Sequence, residues 1–508
     1  MPSQNEIERR YKNIRAAMEA ERVDALIVCG NQYAGFEGAV RYVSDFEIVH
    51  RYVYALIPLS GDPVLVFPRE ARWIGDKKAP FVREKVWAEI PGKWLREEIE
   101  KRGWKRVAVY GLDFVMAVRD YRELQGHSFE LVPFDFHFDM ARAVKSEEEL
   151  DGFRDSMDII LDGFHALLAT YEPGKTEAEI MAPAVERFFA RGAGPRMMNI
   201  VLSGTNGEAE AFFKVPSLRK VGSDDLLLYS LEVTGAAGYW IEFSRALIRG
   251  KISPRTQAMS EVYPHAMEAA RANMRDGALA SDVHKAAADV FSKAGFSLGH
   301  LTGHSIGMTM IEHPAIGAHT QIELKENMVL SFHPQVVDQD GQVCLYTQDT
   351  YRVGKNEGEC LADVPWRFYT GLEARKSAWA SKSASSAAAP SAASSAPTSL
   401  ASPMSKSTPM TSRRNIPAPS TSAACVSAAQ PISLRAFTQR QIRKKFLPAN
   451  SESSPLKART RIPPSNRPPA SSANPAPFAR CKTVSATRKF SRNTCATSFV
   501  APPSPPVT

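Results

Sequence analysis

The first 142 residues alternate continuous apolar runs with amphipathic stretches. Apolar positions that recur every three to four residues predict helices, and short apolar runs bounded by glycine or by turn residues predict buried strands. The helices are predicted over 4–21 and 94–102, and the strands over 24–30, 52–59, 63–67 and 106–111. This alternation predicts an α/β domain over residues 1–142.

From residue 143 to residue 375, longer helical patterns are interleaved with short β-rich runs. Ser146 followed by Glu149 is the signature of a capped helix start. Further helices are predicted over 177–191, 255–275 and 280–294, and the last strands over 328–337 and 343–353. Helices mixed with antiparallel hairpins predict an α+β domain over 143–375.

Residues 376–508 have a different composition. Ala, Ser, Pro and Thr dominate, and 19 Lys and Arg residues stand against one acid, Glu452. Such a segment cannot bury enough apolar surface to offset its ordering entropy, so it is predicted to be a disordered basic tail. Nucleic-acid binding by this tail is disfavoured, since its few aromatic residues do not interleave with the charges. An altered reading frame is an alternative origin for it.

The overall charge of +8 conceals this division, because residues 1–375 carry 44 basic and 54 acidic residues. Six cysteines are too few for a disulfide scaffold in a chain of this length, and no pair has the spacing of a metal knuckle. No secretory leader or run of about 18 apolar residues is found, so no membrane association is predicted. These features predict a cytoplasmic protein.

Candidate chemistry centres on Gly303-His304-Ser305-Ile306-Gly307. The two glycines predict a tight turn that leaves the imidazole uncrowded, which suits a metal ligand or a general acid/base. The run 226–233 and the run 239–248 flank a glycine-rich reversal, so Glu232 and Glu242 should lie close together in a hairpin. Arg245 is expected to pair with one of these acids.

Two later runs add His333, just before a proline, and Gln348. Together with Glu172–Ile180, Gly238-Tyr239-Trp240 and Glu326–Leu330, these motifs resemble the creatinase / prolidase / aminopeptidase P superfamily, which has the pita-bread fold. The resemblance covers essentially all of 1–375. It implies a creatinase-type N-terminal domain, a pita-bread catalytic domain and a homodimer.

The resemblance also implies a ligand set from which this chain departs. Metallopeptidases of the superfamily bind two metals through Asp, Asp, His, Glu and Glu. Those positions fall on Glu232, Glu242, His304, His333 and Gln348. Two metal ions need bridging carboxylates and several negative charges, so two carboxylates in place of four argue against a dimetal peptidase.

Three hypotheses follow from these substitutions. The first is a metal-free, creatinase-like hydrolase of a C–N bond, with His304, Glu232 and Glu242 catalytic and with Glu312, His333 and Gln348 binding substrate. The second is an enzyme with one divalent metal bound by Glu232, Glu242, His304 and His333. The third is a pita-bread binding module without activity.

The substrate class stays open at this stage. The resemblance implies a small molecule, namely an amidine, a guanidine or a peptide-like compound. Ile311 stands where the superfamily has a substrate-side histidine, which argues against an ordinary Xaa-Pro peptidase.

Overall fold

The computed structural model describes residues 1–71, 79–194 and 196–372. The predicted tail, 376–508, lies outside the described residues, and the domain boundary near residue 143 stays a prediction. Within the described part, no helix combines the length and the apolar character that a membrane crossing needs.

The N-terminal region is a six-stranded mixed sheet with helices packed against it. Its helices are α1 (Gln4–Ala20), α2 (Gly38–Ser44), α3 (Pro91–Arg102), α4 (Val118–Leu124) and α5 (Asp135–Ala141). Its strands are β1 (Ala25–Asn31), β2 (Tyr52–Pro58), β3 (Val64–Pro68), β4 (Glu84–Ala88), β5 (Arg106–Tyr110) and β6 (Glu130–Pro133), in the order β4-β3-β2-β1-β5-β6. The α/β prediction is confirmed.

The C-terminal region begins with two capped helices. Ser146 and Thr176 each accept a hydrogen bond from the third residue of the helix that follows, and Glu149 and Glu179 complete the two capping boxes. The helices of this region are α6 (Glu147–Thr170), α7 (Glu177–Ala190), α8 (Pro254–Asn273) and α9 (Ala280–Lys293). All four helices were predicted, with bounds that differ by only a few residues.

Three antiparallel sheets complete this region. The first has the order β10-β9-β7, with β7 (Met197–Gly204), β9 (Leu226–Thr234) and β10 (Trp240–Leu247). The second has the order β11-β15-β16-β8, with β8 (Ala209–Glu210), β11 (Ser297–Leu298), β15 (Gln335–Val337) and β16 (Val343–Tyr346). The third has the order β13-β12-β14-β17-β18, with β12 (Gly303–Ser305), β13 (Glu312–Ile316), β14 (Val329–Phe332), β17 (Asp349–Arg352) and β18 (Glu359–Cys360). The α+β prediction is confirmed.

Candidate metal and catalytic centre

The two acids of the β9–β10 hairpin lie side by side. Glu232 and Glu242 are direct partners in the antiparallel register, so their side chains project from the same face of the sheet. Both are almost fully buried, with 5% and 2% of their surface exposed. The predicted proximity of the two carboxyls is confirmed.

His304 lies in the middle of strand β12, so the predicted tight turn is wrong. The flanking glycines serve close packing. A Cβ atom at Gly303 would lie 2.3 Å from the carbonyl oxygen of Ser331, and one at Gly307 would lie 2.2 Å from a carboxyl oxygen of Glu312. Neither position therefore has room for a side chain, and the strand is held close to both neighbours.

The tautomer of His304 follows from its hydrogen bond. Its Nδ1 lies 3.0 Å from the carbonyl oxygen of Ser305, and because a carbonyl only accepts, Nδ1 must carry the proton. Burial lowers the pKa of His304, which favours the neutral ring. The lone pair is then on Nε2, which faces Oε1 of Glu242 at 3.7 Å.

His333 and Gln348 lie where the chain crosses between two sheets. The run 328–337 was predicted as one strand, but it divides into β14 and β15, and the run 343–353 divides into β16 and β17. In both cases one half belongs to the four-stranded sheet and the other half to the five-stranded sheet. Pro334, which has no N–H to donate, accounts for the first break.

Tyr263, on α8, holds both crossings in place. Its hydroxyl donates to the carbonyl oxygen of Pro334 at 2.7 Å and accepts from the backbone N–H of Thr347 at 3.0 Å. These two residues are the chain neighbours of His333 and Gln348. Sequence reasoning missed Tyr263, because nothing local to the helix indicates a partner some 70 or more residues away.

Three buried side chains are placed to share one cation. One ligand atom from each of Glu242, His304 and His333 lies within 4.8 Å of the other two. His333 Nδ1 is buried without a hydrogen-bond partner, and burial together with the neighbouring His304 and His300 lowers the pKa of His333 well below its usual value. Two ligand atoms at about 2.0–2.2 Å from one ion are at most about 4.4 Å apart, so these three side chains would hold one divalent metal after a small shift of their rotamers.

A hydrogen-bond donor lies between the two hairpin acids. The side-chain amide nitrogen of Gln348 donates to Glu232 at 3.2 Å and to Glu242 at 3.1 Å. It therefore lies between the two carboxyls, where a bridged pair of cations would need both of them. Glu232 is outside the group of three, although it was included in the predicted single-metal set.

The surroundings of Glu232 favour the protonated form of its carboxyl. Burial, and then the neighbouring Glu242, raise its pKa to about 8, and burial raises the pKa of Glu242 to about 7. The Ser230 hydroxyl contacts both Glu232 Oε1 and Gln348 Oε1, yet it has only one hydrogen. Both contacts are satisfied when Glu232 is protonated and donates to Ser230, which in turn donates to Gln348.

His300 is a further histidine at the edge of this centre. Its ring is exposed, and its centroid lies 5.7 Å from that of the buried His333 and 5.6 Å from that of Phe213. Sequence reasoning missed it, although its position four residues before His304 was a usable signal. His300 connects the buried imidazoles with the protein surface.

Two other predicted roles differ from the contacts observed. Glu312 is 2% exposed and pairs with Arg142 and Lys145, each at 3.0 Å, which favours a structural role over substrate binding. Arg245 pairs with Asp349 at 2.9 Å, so the expected pairing with a hairpin acid is wrong. The physical reason is the strand period of two, which puts Arg245 and Glu242 on opposite faces of β10.

The two regions together have the architecture of a pita-bread protein, and the buried centre lies in the C-terminal one. A family model described as "Metallopeptidase family M24" matches residues 151–355, and one described as "Creatinase/Prolidase N-terminal domain" matches residues 10–144. The chain belongs to the creatinase / prolidase / aminopeptidase P superfamily.

Individual relatives agree with this assignment. "Probable dipeptidase PepE" of Mycobacterium tuberculosis is 30% identical over 198 residues, which are 38% of this chain and 52% of that protein. The chain thus spans about half the length of the relative it matches there. The Xaa-Pro dipeptidase of Lactobacillus delbrueckii subsp. lactis is 25% identical over 53% of this chain and 73% of its own length.

Solved structures show the same fold. Dipeptidase PepE from Mycobacterium ulcerans has a TM-score of 0.61 and 25% identity, and the match covers 72% of this chain and 98% of that one. The recombinant prolidase from Thermococcus sibiricus has a TM-score of 0.64 and 20% identity, over 73% and 100% of the two chains. The names of these relatives support the prediction of a hydrolase acting on C–N bonds. A homodimer and a cytoplasmic location stay predictions.

Proposed function

We propose that the chain hydrolyses an amide C–N bond in a short peptide-like substrate and uses one divalent metal ion bound by Glu242, His304 and His333. The observation that carries the proposal is the convergence of these three buried side chains, with the unprotonated Nε2 of His304 facing a carboxyl oxygen 3.7 Å away. The dipeptidase and peptidase names of the relatives support the peptide-like substrate.

Glu242, His304 and His333 would hold the ion, which would supply a Lewis acid for the carbonyl of the scissile amide. The other steps belong to the protein. The contacts of the Ser230 hydroxyl place a proton on Glu232, which can donate it to the leaving nitrogen. A water molecule supplies the hydroxyl group of the new carboxylic acid, and its remaining proton replaces the one that Glu232 donates. Gln348 orients both carboxyls, and the Ser331 hydroxyl donates to Oε2 of Glu242, which leaves Oε1 toward His304.

The metal content of the purified full-length chain, measured by elemental mass spectrometry, tests this proposal. We expect about one equivalent in the wild type, its loss in His333→Ala, and its retention in His165→Ala, a control at an exposed position on α6. Hydrolysis of a dipeptide and of a tripeptide should follow the metal content. Full activity in metal-free protein would favour the creatinase-like alternative, and two equivalents would contradict a mononuclear site.

A further inference from the structure

A second group of buried polar side chains lies next to the metal and catalytic centre. Three of its polar atoms have no hydrogen-bond partner among the described residues, namely Oε2 of Glu37, Nε of Arg196 and Nε1 of Trp240. The three residues are 4%, 7% and 0% exposed. Buried polar atoms are normally paired, so a group of three unpaired ones indicates a missing partner. We refer to Glu37, Arg196 and Trp240 as the outer polar cluster.

The strand register places this cluster on the catalytic face of the β10-β9-β7 sheet. Trp240 pairs with Thr234, whose backbone N–H donates to the carbonyl oxygen of Arg196. Glu242 and Glu232 occupy the row two residues further along, on the same face. Two residues of strand span about 7 Å, so the cluster lies one to two peptide units from the reacting carboxyls.

Glu37 reaches the cluster from the N-terminal region, and its position is fixed by close packing. A Cβ atom at the next residue, Gly38, would lie 1.8 Å from the carbonyl oxygen of Met308, four residues after His304. The guanidinium of Arg196 lies 3.7 Å from Glu37 and 3.7 Å from Glu47, which is too long for hydrogen bonds. The indole N–H of Trp240 interacts with the Glu37 carboxyl and lowers its pKa against the larger effect of burial, but the contact falls short of full hydrogen-bond geometry.

The charges and hydrogen-bond donors of the outer polar cluster indicate which kind of chemical group could pair with its three unpaired atoms. Two acids face one arginine, so the local charge is negative, and a substrate carboxylate is disfavoured. An ammonium group could bind Glu37, but it would leave the two donors of Arg196 and Trp240 unpaired. A peptide group supplies both an N–H for Glu37 and a carbonyl oxygen for the two donors.

We infer that the outer polar cluster binds a peptide group of the substrate other than the scissile one. This inference rests on the proposed function and deepens it, because it requires a substrate with at least one additional amide. A dipeptide offers only the scissile amide. The preferred substrates are therefore tripeptides or longer peptides.

Calorimetric binding to the full-length chain tests this inference, with a chelator present so that turnover is not needed. The probes are dialanine, trialanine and dialanine amide, whose terminal carboxamide supplies a second amide. We expect trialanine and dialanine amide to bind at least tenfold more tightly than dialanine. Trp240→Phe keeps the ring and removes one donor, and it should reduce this preference about 2- to 10-fold.

Arg196→Met should reduce the preference about 10- to 150-fold, because it removes a charged donor. Arg191→Met, at an exposed arginine that follows the last residue of α7 and pairs with Asp162, is the matched control and should leave the preference unchanged. Equal binding of the three probes, or a preference that both variants keep, would overturn the inference. Weakest binding by dialanine amide would instead indicate a carboxylate site. Since these measurements need no catalysis, their failure is distinct from failure of the proposed hydrolysis.

Discussion

The imidazole of His304 presents its unprotonated Nε2 to the carboxyl of Glu242 across 3.7 Å, and both side chains are buried. Two electron-rich atoms that face each other in this way are stabilised by a proton or a cation between them. The neutral ring of His304 has no proton on Nε2. Its one N–H is at Nδ1, which donates to the Ser305 carbonyl on the opposite side of the ring. Above the pKa of Glu242, which is about 7, the carboxyl supplies no proton either, and the pair then favours a cation.

The first prediction concerns stability in the presence of metal. An ion that binds only the folded state at 100 times its Kd stabilises it by about 2.7 kcal/mol. We expect the midpoint of thermal unfolding of the wild type to rise on addition of zinc or manganese and to fall back with chelator. Glu242→Gln should lose this response, whereas Glu186→Gln, at an exposed position on α7, should keep it. A full response in Glu242→Gln would remove Glu242 from the ligand set.

Gln348 is the residue whose replacement should change the number of metal ions. Gln348→Glu adds a third carboxyl beside Glu232 and Glu242, so in chelator it should be destabilised by about 3 kcal/mol or more. Excess divalent metal should restore that stability and raise the metal content above one equivalent. Gln348→Leu adds no carboxyl, so excess metal should not remove the difference in stability between this variant and the wild type. If Gln348→Glu gains nothing beyond the wild-type response, the amide is not what limits the site to one ion.

Tyr263→Phe tests how the two crossings position the site. The substitution removes the hydroxyl that contacts Pro334 and Thr347 and leaves the ring in place. Loss of such an outer hydrogen bond typically weakens metal affinity about 10- to 100-fold. The measurement is the metal Kd from a competition titration. Tyr121→Phe, on α4 of the N-terminal region, is the control, and equal affinities in the two variants would contradict a positioning role.

Sequence patterns sufficed for most of the architecture but not for the connections around the site. The helix cap at Ser146 and the pairing of Glu232 with Glu242 depend on local residues, so they could be predicted. The breaks at His333 and Gln348 depend on which sheet each half-strand joins, and the contacts of Tyr263 depend on tertiary packing. The outer polar cluster combines residues from two regions, and no local pattern connects Glu37 with Arg196.

Stability toward acid should depend on Glu177. The Ser203 hydroxyl, the Ser217 hydroxyl and backbone N–H, and Arg219 all donate to its buried carboxylate, and together they outweigh burial and lower its pKa to about 2. A lowered pKa contributes stability above the ordinary value of 4.5, and this contribution is lost as the pH falls from 4.5 toward 2. It amounts to at most about 3 kcal/mol. Unfolding by urea at pH 7 and at pH 3 should show that the deficit of Glu177→Gln against the wild type falls to about half or less at the lower pH. Glu186→Gln should show no deficit at either pH.

Glu312 should prove to be a structural residue. Glu312→Gln removes the charge that pairs with Arg142 and Lys145, and breaking a buried ion pair costs about 3–5 kcal/mol. We expect a large fall in the free energy of unfolding and little change in KM for any peptide that is hydrolysed. A raised KM at unchanged stability would restore the substrate-binding role inferred from the sequence.

The crossings at His333 and Gln348 are held through the main chain. Tyr263 contacts backbone groups of Pro334 and Thr347, and the carbonyl oxygen of Gln348 accepts from the backbone N–H of Ser244. The path of the chain through the site therefore does not depend on the side chains at positions 333 and 348. The side chains at these two positions can therefore be exchanged without rebuilding the scaffold.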